Sequence, residues 1–320
     1  MDGQQLSLAQ TLLHPGVGAN ARLDAIDRVI DWRALAALAR KARGPKDCGR
    51  PSYAALPLLK AVYLQMLYGL SDKGLEEALG DRLSFQRFCG YTLDRPMPDE
   101  TTICRFRHEL AAAGALEACF EEVNRQLDAQ KLIVRKGTLM DATILPAASR
   151  RRGIKEGEGA RAARRPGADW TRKNGRSYFG CRVHVGTDQG SNLIRRIVLT
   201  PASVNESLVA EALMSGDEKA VYADKGYESG DRRARLRAAG VKDRICHRSH
   251  RHQKELQHWQ SVRNKAIAKR RAMIEQVFGT MKRTYGFARA RYADFMLNRA
   301  SLFCFSTMFN LRRAAGLLAA

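Results

Sequence analysis

The sequence predicts an α/β protein in which helices cover a sheet, preceded by an all-helical N-terminal domain. Up to about residue 130 the apolar residues recur at helical spacing, and beyond it short alternating strands appear between further helices. Charge divides the chain at the same place. Up to Gln130, 16 Lys and Arg stand against 17 Asp and Glu, so the whole positive excess behind the net charge of +22 falls in the later part.

The first 130 residues are predicted to hold a flexible arm and a helical domain, residues 25–130. Residues 1–24 begin with polar residues and a Gly/Pro patch and lack a clear periodicity, which indicates the arm. The helices follow from apolar spacing, from turn residues between them and from N-cap residues such as Asp99. The predicted helices cover residues 25–40, 54–68, 71–79, 84–89, 100–113 and 115–130.

The short helices between Ser71 and Ala113 are open to two interpretations. They form either a packing bundle or a helix-turn-helix-like DNA reader, in which the helix after Asp99 would present Arg105 and Arg107 to a groove. The charge of this region is near zero, and short helices occur in any helical domain. Both interpretations stay open on the sequence alone.

Residues 131–320 are predicted to form the α/β domain. The predicted strands cover residues 132–145, 178–187, 192–200, 220–224 and 242–246, and the predicted helices cover residues 206–214, 231–239, 256–285 and 299–311. Residues 147–176 are rich in glycine and cations and lack apolar periodicity, which predicts a mobile basic loop. The loop cations expected to touch phosphates are Arg150, Arg151, Arg152, Arg172 and Lys173.

Composition narrows the classes of protein. A pI near 10.1 in a chain with 45% hydrophobic residues predicts a folded protein with a polyanionic partner, for which nucleic acid is the usual candidate. Membrane binding is disfavoured, because the cations are spread over loops, strands and helices and no apolar run is long enough to span a bilayer. Seven cysteines without a C-x-x-C pair indicate free thiols in a reducing cytosol, so we expect a cytoplasmic protein associated with the nucleoid.

Three acids are the candidate catalytic and metal-binding residues. Asp141 lies at the centre or exit of its predicted strand and Asp224 lies at the end of its own, and active sites of α/β sheets are found beyond strand ends. Glu275 lies between Arg271 and Lys282 in a basic helix, and an Arg271–Glu275 ion pair is the simpler interpretation of that helix alone. Three converging carboxylates would instead bind Mg²⁺, or Mn²⁺ in its place, and two such ions would support phosphoryl transfer.

The order of several motifs makes the chain resemble a known family. The motifs are Met140-Asp141-Ala142-Thr143, Ala223-Asp224-Lys225-Gly226-Tyr227, Arg271 with Glu275 and Lys282, Tyr178-Phe179-Gly180 with His184, the segment Thr200 to Glu206, and the segment Pro98 to Arg107. From about Asp31 to Arg313 the chain resembles bacterial DDE transposases of the insertion sequence 5 family, within the wider insertion sequence 4/5 group. The resemblance implies a ribonuclease-H-like catalytic domain with a mixed sheet.

The resemblance also implies a mechanism and partners. Asp141, Asp224 and Glu275 would hold Mg²⁺ for cleavage of double-stranded DNA at the element's ends and for attack of the freed 3′-hydroxyl on target DNA. Arg271 and Lys282 would contact backbone phosphates, as Lys225 and Tyr227 beside Asp224 would contact DNA. The N-terminal helices would read the terminal inverted repeats, and a homodimer would join two ends.

Two departures from the family pattern and two alternatives remain. Ala268 stands where the family signature has a tyrosine, and the interval from Asp224 to Glu275 is too short for the β insertion of some relatives. The alternatives are a catalytically inert DNA-binding protein derived from a transposase and a hydrolytic DNA nuclease of the same fold. The loss of the tyrosine favours the first alternative, whereas the presence of all three acids opposes it.

Several other residues have a plain structural interpretation. His184 between Val183 and Val185 is predicted to be a packed or hydrogen-bonded histidine, and Tyr227 either stacks on a base or fills its turn. The phenylalanines Phe303, Phe305 and Phe309 are predicted core residues. Cys246, His247, His250 and His252 resemble a zinc patch but lack the usual finger spacing, so we do not expect zinc.

Overall fold

The computed structural model describes residues 16–44, 52–93, 95–148, 167–249 and 255–319. These residues form two compact units. The first contains the residues up to Gln130 together with those from Phe303 onward, and the second runs from Lys131 to Leu302. The sequence placed all of residues 131–320 in one domain, whereas the last helix of the chain passes from the second unit into the first.

The first unit is helical, as predicted. Its helices are α1 (Ala21–Asp27), α2 (Trp32–Arg43), α3 (Ala55–Tyr68), α4 (Asp72–Asp81), α5 (Leu83–Cys89), α6 (Glu100–Ala112) and α7 (Ala115–Ala129). Side-chain caps fix where several of them begin: Asn20, Asp31, Ser71 and Asp99 each accept a hydrogen bond from a backbone N–H of the first turn. Helix α3 is buried on nearly all sides and forms the centre of this unit.

The predicted single helix over residues 25–40 is wrong, because the chain forms two helices there. The first helix ends at Asp27, and Asp31 then caps α2 by accepting a hydrogen bond from the Arg33 backbone N–H. Val29 and Ile30 in the connection are buried, so the apolar spacing continues across a break in the helix. The predicted arm also contains the beginning of α1; residues 1–15 lie outside the described residues.

The second unit is built on a mixed sheet of six strands. They are β1 (Thr138–Pro146), β2 (Asp169–Lys173), β3 (Arg176–Asp188), β4 (Ile194–Pro201), β5 (Ala220–Ala223) and β6 (Lys242–Ile245). The sheet follows the order β2-β3-β1-β5-β6, and β4 also pairs with β3. Strands β1, β5 and β6 are parallel, whereas β2, β1 and β4 are antiparallel to β3. This open mixed sheet flanked by helices confirms the predicted ribonuclease-H-like fold.

Strand β2 corrects the extent of the predicted basic loop. Residues 149–166 of that loop, including Arg150, Arg151 and Arg152, lie outside the described residues. Asp169–Lys173, however, pairs with the beginning of β3 in a hairpin with Asn174 and Gly175 at its tip. The strand is exposed along most of its length, so it lacks the apolar alternation that reveals a half-buried strand.

Helices cover both faces of the sheet. They are α8 (Glu206–Val209), α9 (Gly230–Ala238), α10 (His258–Arg283) and α11 (Phe295–Leu318), with 3₁₀ turns at Ala210–Leu213 and Lys225–Tyr227. Met140 of β1 packs in a buried cluster with Val209 and Leu213, while α10 contacts β1 and β5. Neighbouring residues of a strand point to opposite faces, so the residue after Met140 faces α10.

Helix α11 carries the predicted core phenylalanines into the first unit. Phe303, Phe305 and Phe309 are all buried, as predicted, and Phe120 of α7 lies against Phe303. Within the described residues, no helix is both long enough and apolar enough to span a membrane.

Candidate active site

Asp141 is positioned by the middle of β1, where it lies opposite Val185 of β3. Its side chain is about a quarter exposed, and its Oδ1 accepts a hydrogen bond of 2.8 Å from the Ala142 backbone N–H. Because Met140 packs into the core on the other face, the alternation of the strand directs Asp141 toward α10. The carboxylate therefore projects from a rigid central strand rather than from a loop.

Asp224 follows the last residue of β5 and begins a 3₁₀ turn. Its Oδ1 accepts a hydrogen bond of 2.6 Å from the Lys225 backbone N–H, which caps the turn. Strands β1 and β5 are parallel neighbours with Thr138 opposite Val221. Continuing that register by three residues places Asp224 level with Asp141, so the two predicted acids lie side by side on adjacent strands.

Arg271 of α10 joins the two aspartates. Its Nη2 lies 3.0 Å from Asp141 Oδ2 and its Nη1 lies 3.9 Å from Asp224 Oδ1. The arginine side chain is only 14% exposed, which makes it a partly buried counter-ion. Among the residues that the structure describes, Arg271 makes no ion pair with Glu275, so the simpler interpretation of the helix was wrong. The guanidinium faces the acids that the sequence assigned to a metal.

Glu275 is the predicted acid that the structure does not bring to this pair. It lies one turn beyond Arg271 on α10 and is exposed. Within the described part of the chain, no three His, Cys, Asp or Glu side chains are grouped closely enough to hold a metal ion. The pair Asp141 and Asp224 is therefore assembled, and the predicted trio is not.

The aspartate pair nevertheless fits a divalent cation. Carboxylate oxygens are hard ligands, and Mg²⁺ is commonly held by one or two carboxylates together with phosphate oxygens of a substrate. A positive group already lies between the two aspartates in the form of the Arg271 guanidinium. The hydroxyl of buried Tyr227, whose pKa is influenced by the charge of Asp141, has no hydrogen-bond partner among the described residues.

The electrostatics of Asp141 reflect its position. Burial raises the pKa of its carboxyl, and the negative charge of Asp224 raises it further. The positive charge of Arg271, the hydrogen bond from the Ala142 N–H and the positive charge of Lys173 lower it. The balance leaves the pKa above its ordinary value, so the charged form of Asp141 is costly in spite of the arginine. A cation of higher charge would stabilise it further.

The cations predicted to contact phosphates differ in how far they are exposed. Lys282 of α10 is half-buried, and its Nζ donates a hydrogen bond of 2.7 Å to Thr143 Oγ1, two residues after Asp141. Burial lowers the pKa of Lys282, and Lys173 lowers it further. Lys225 beside Asp224, like Arg172 and Lys173 on β2, is exposed. Lys282 and Lys225 lie next to the elements that carry the aspartates, and Lys173 on the hairpin influences the pKa of Asp141.

Two predicted DNA contacts are contradicted by burial. Arg107 is 5% exposed and makes two hydrogen bonds to Asp72, of 2.5 Å from Nη1 and 2.8 Å from Nη2, so it is an internal ion pair of the helical unit. Tyr227 is fully buried in the core beneath its turn and cannot stack on a base. Arg105, by contrast, is exposed on α6.

His184 is a packed histidine, as predicted. It is fully buried, and its Nε2 lies 2.9 Å from Thr200 Oγ1. Burial, assisted by the positive charge of Arg182, lowers the pKa of His184 to about 4. Of the residues that resemble a zinc patch, His250 and His252 lie outside the described residues.

Glu206 is a further acid, outside the predicted trio, whose pKa is influenced by the aspartate pair. It begins α8, and its Oε1 accepts a hydrogen bond of 3.0 Å from Arg182 Nη1. Burial is the largest cause of a raised pKa for Glu206, and the charges of Asp141 and Asp224 contribute in the same direction. The only sequence signal was its place at the end of the Thr200 to Glu206 segment quoted for the resemblance.

Fold and site together define a class of protein: a ribonuclease-H-like domain that carries two aspartates on adjacent parallel strands, with an arginine between them, and that follows a helical unit in the chain. Comparison with protein families agrees with this class. A model described as "Transposase DDE domain" matches residues 134–311, more than half of the chain, and one described as "Transposase domain (DUF772)" matches residues 13–109. The chain therefore belongs to the DDE transposase family. A search of solved structures gave no match.

Proposed function

We propose that this protein is the transposase of a bacterial insertion sequence of the insertion sequence 5 family. In this role it binds the terminal inverted repeats and catalyses cleavage and strand transfer of double-stranded DNA. The observation that supports the chemistry is the pairing of Asp141 and Asp224 on adjacent parallel strands around a single cationic group. Two charged aspartates that lie side by side repel each other unless a cation neutralises both. A metal-dependent phosphoryl-transfer site holds such a cation.

The residues that would hold Mg²⁺, or Mn²⁺ in its place, are Asp141, Asp224 and Glu275. When bound, such ions activate a water or hydroxyl nucleophile and stabilise the attacking and leaving oxygens of the phosphoryl transfer. Asp141 and Asp224 are fixed by the sheet, whereas Glu275 lies exposed on α10, one turn beyond Arg271, and would have to approach the pair when the cation binds. Oxygen ligands without thiol or imidazole suit these hard cations.

The surrounding cations have a positioning role in this proposal. Arg271, Lys282 and Lys225 lie beside the aspartates, and Arg172 and Lys173 lie on the neighbouring hairpin. Such groups contact phosphates and set the register of the duplex without reading its sequence. Recognition of the inverted repeats falls to the helical unit, where Arg105 is exposed, with help from Arg150, Arg151 and Arg152. Two ends must be joined, so a homodimer on DNA and association with the nucleoid belong to the proposal.

The decisive experiment incubates the full chain with Mg²⁺ and a DNA that carries the ends of its own element. Products in which an end is joined to target DNA support the proposal. Nicked products alone support a hydrolytic nuclease, and binding without either product supports an inert DNA-binding protein, which the presence of Ala268 favours.

Two variants identify the acids in this assay. Asp141→Asn should abolish cleavage and joining while retaining DNA binding, because it removes charge without changing the size of the side chain. Asp231→Asn, an exposed acid in the first turn of α9, is the matched control and should keep both activities. Loss of DNA binding in the Asp141 variant would mean that this acid supports the fold instead.

A further inference from the structure

We propose that the hairpin of β2 and β3 binds single-stranded DNA, with the indole ring of Trp170 stacked on an unpaired nucleobase. This inference rests on the proposed function, because it takes DNA as the polyanion that the protein binds. It adds to that function the form of the substrate, an unpaired strand rather than an intact duplex. Trp170 is not among the residues that the sequence assigned to DNA.

Trp170 is a large aromatic side chain that is open to solvent. It is 52% exposed, whereas Trp32 of the helical unit is buried. Among the described residues, the indole N–H of Trp170 has no hydrogen-bond partner. The indole N–H groups of the other two tryptophans, Trp32 and Trp259, donate to the Asp27 carbonyl oxygen at 2.9 Å and to Gln257 Oε1 at 2.5 Å. Trp170 is therefore the tryptophan that is both exposed and without such a partner in the described part of the chain.

A cross-strand neighbour holds the indole ring in place. Trp170 lies opposite Phe179 of β3, and the two ring centroids are 5.3 Å apart at an interplanar angle of 50°. Aromatic side chains that lie opposite each other on paired strands stabilise one another. The contact supports the indole while half of its surface stays exposed. A ring positioned in advance loses little conformational freedom when a ligand stacks on it.

The hairpin carries the charge that a DNA strand requires. Arg172, Lys173 and Arg176 are exposed around its tip and stand against one acid, Asp169, so residues 169–176 carry a formal charge of 3 − 1 = +2. Among the residues that the structure describes, none of these three cations forms a salt bridge. Proteins bind single strands with this combination, because cations follow the phosphates while an aromatic ring stacks on a base.

The aromatic ring distinguishes an unpaired strand from an intact duplex. In a duplex each internal base is already stacked on both faces, so the phosphates reach the cations while the bases do not reach the indole. An unpaired base offers its face to the ring, and such stacking tolerates any base because every base has a π-face. The ligand is therefore single-stranded DNA without a required sequence.

The hairpin belongs to the sheet face that carries the proposed chemistry. Trp170 lies opposite Phe179 of β3, and Asp141 of β1 lies opposite Val185 of the same strand. Phe179 and Val185 are 185 − 179 = 6 residues apart, an even number, so the aromatic pair and Asp141 share one face. In agreement with this arrangement, the charge of Lys173 at the end of β2 lowers the pKa of Asp141.

Two contacts anchor the hairpin to the rest of the second unit. Thr171 Oγ1 accepts a hydrogen bond of 3.3 Å from Arg182 Nη2, and the Gly167 carbonyl oxygen accepts one of 3.2 Å from Cys181 Sγ. Because neighbouring residues of a strand point to opposite faces, Trp170 points away from the anchor at Thr171. The anchor thus fixes the strand and leaves the indole available.

The simpler explanation is an aromatic pair that stabilises the hairpin and has no ligand. The two explanations differ in what they predict for DNA binding. A structural pair predicts that removing the ring lowers stability slightly and leaves the affinity for a single strand unaltered. A stacking platform predicts that the affinity for a single strand falls while the affinity for a duplex is retained.

The test measures binding of a labelled oligothymidine of about ten nucleotides, and of a blunt duplex, to the full chain without divalent cations. Trp170→Leu keeps an apolar side chain and loses the aromatic ring. It should weaken oligothymidine binding by at least about fivefold, the lower end of what stacking on one base contributes, and change duplex binding by less than about twofold. Trp170→Tyr should retain most of the affinity for oligothymidine.

Two further variants serve as controls. Trp259→Leu is the matched control, because Trp259 is equally exposed but lies against His247 at the start of α10, and it should change neither affinity. Arg172→Gln should weaken the binding of oligothymidine and duplex alike, because phosphate contacts are common to both.

The outcomes separate this inference from the proposed function. If Trp170→Leu binds oligothymidine as the unmodified protein does, the inference is overturned and the proposed function stands. The same holds if Trp170→Leu changes only the oligomeric state, as light scattering would show. If the unmodified protein binds neither DNA, the proposed function itself is overturned. Should Trp170→Leu fail to fold, as circular dichroism would show, tryptophan fluorescence of Trp259→Phe decides, and absence of quenching by oligothymidine overturns the inference.

Discussion

Replacing Arg271 with alanine should make the metal-free protein bind divalent cations more tightly. The guanidinium lies 3.0 Å from Asp141 and 3.9 Å from Asp224, and only 14% of the side chain is exposed. It occupies the electrostatic position that a divalent cation needs. A cation that binds the aspartates must therefore first displace the arginine, and Arg271→Ala removes that competitor.

The size of the effect follows from the geometry. Unit charges 3.0 Å apart attract by about 5 kcal/mol at an effective dielectric constant of about 20. Much of this is offset by desolvation, since burial raises the pKa of Asp141 more than Arg271 lowers it. A net competition of about 1–2 kcal/mol remains, which corresponds to roughly 5- to 30-fold tighter binding in the variant.

Mn²⁺ titration of the DNA-free chain by calorimetry measures this difference, and Arg270→Ala is its control. Arg270 precedes Arg271 on α10 and is exposed, so its removal changes the net charge equally without freeing the aspartates. We expect a shift for Arg271→Ala and little change for Arg270→Ala. Equal tightening in both variants would refute competition and leave only a general charge effect. Weaker binding in Arg271→Ala would show that the arginine organises the aspartates instead.

Three further predictions concern stability and are checked by urea unfolding. Arg107→Ala should cost about 3 kcal/mol, because it leaves Asp72 without its buried partner, whereas Arg105→Ala on the same helix should change stability by less than about 0.5 kcal/mol. The pKa of His184 is lowered from 6.5 to about 4, so the stability that its neutral form contributes is fully present above pH 6.5. Acidification to pH 4.5 should lower the free energy of unfolding by about 2.5 kcal/mol, because the imidazole is then protonated in the unfolded chain and still largely neutral in the folded one. His184→Gln should lack this loss of stability. Gly186→Ala should cost about 1–3 kcal/mol, since its Cβ would lie 2.5 Å from the Leu213 carbonyl oxygen; unchanged stability would contradict that geometry.

Much of the fold could be predicted because the periodicity of apolar residues and the positions of turn residues indicate helices and strands. The alternating residues around Asp141 identify a strand, and Asp224 ends an apolar run before a glycine turn, so both acids were assigned to strand positions from the sequence alone. Their closeness then follows from the parallel pairing of β1 with β5. The local sequence pattern therefore predicted the strand that carries each aspartate, and the topology of the sheet brings the two aspartates together.

The residues whose contacts were predicted wrongly have partners that lie far away along the chain. Arg107 looks like a surface cation until Asp72, from another helix, is seen to bury it. Arg271 looks like the partner of Glu275 four residues on, yet it pairs across the sheet with Asp141. Strand β2 is missed for a related reason, since an exposed edge strand owes its existence to β3 rather than to its own apolar residues.

Two arginine–carboxylate pairs of the second unit suggest how a strongly basic protein tolerates partly buried acids. Arg271 neutralises the aspartate pair, and Arg182 neutralises Glu206, so the acids are matched by cations of the chain itself. DNA brings phosphates that suit arginine, and a divalent cation suits carboxylates. Binding both together exchanges partners within the site and leaves its net charge close to balanced. The arrangement therefore predicts that DNA and the divalent cation bind cooperatively, and that Arg271→Ala, whose aspartates are free beforehand, weakens this coupling.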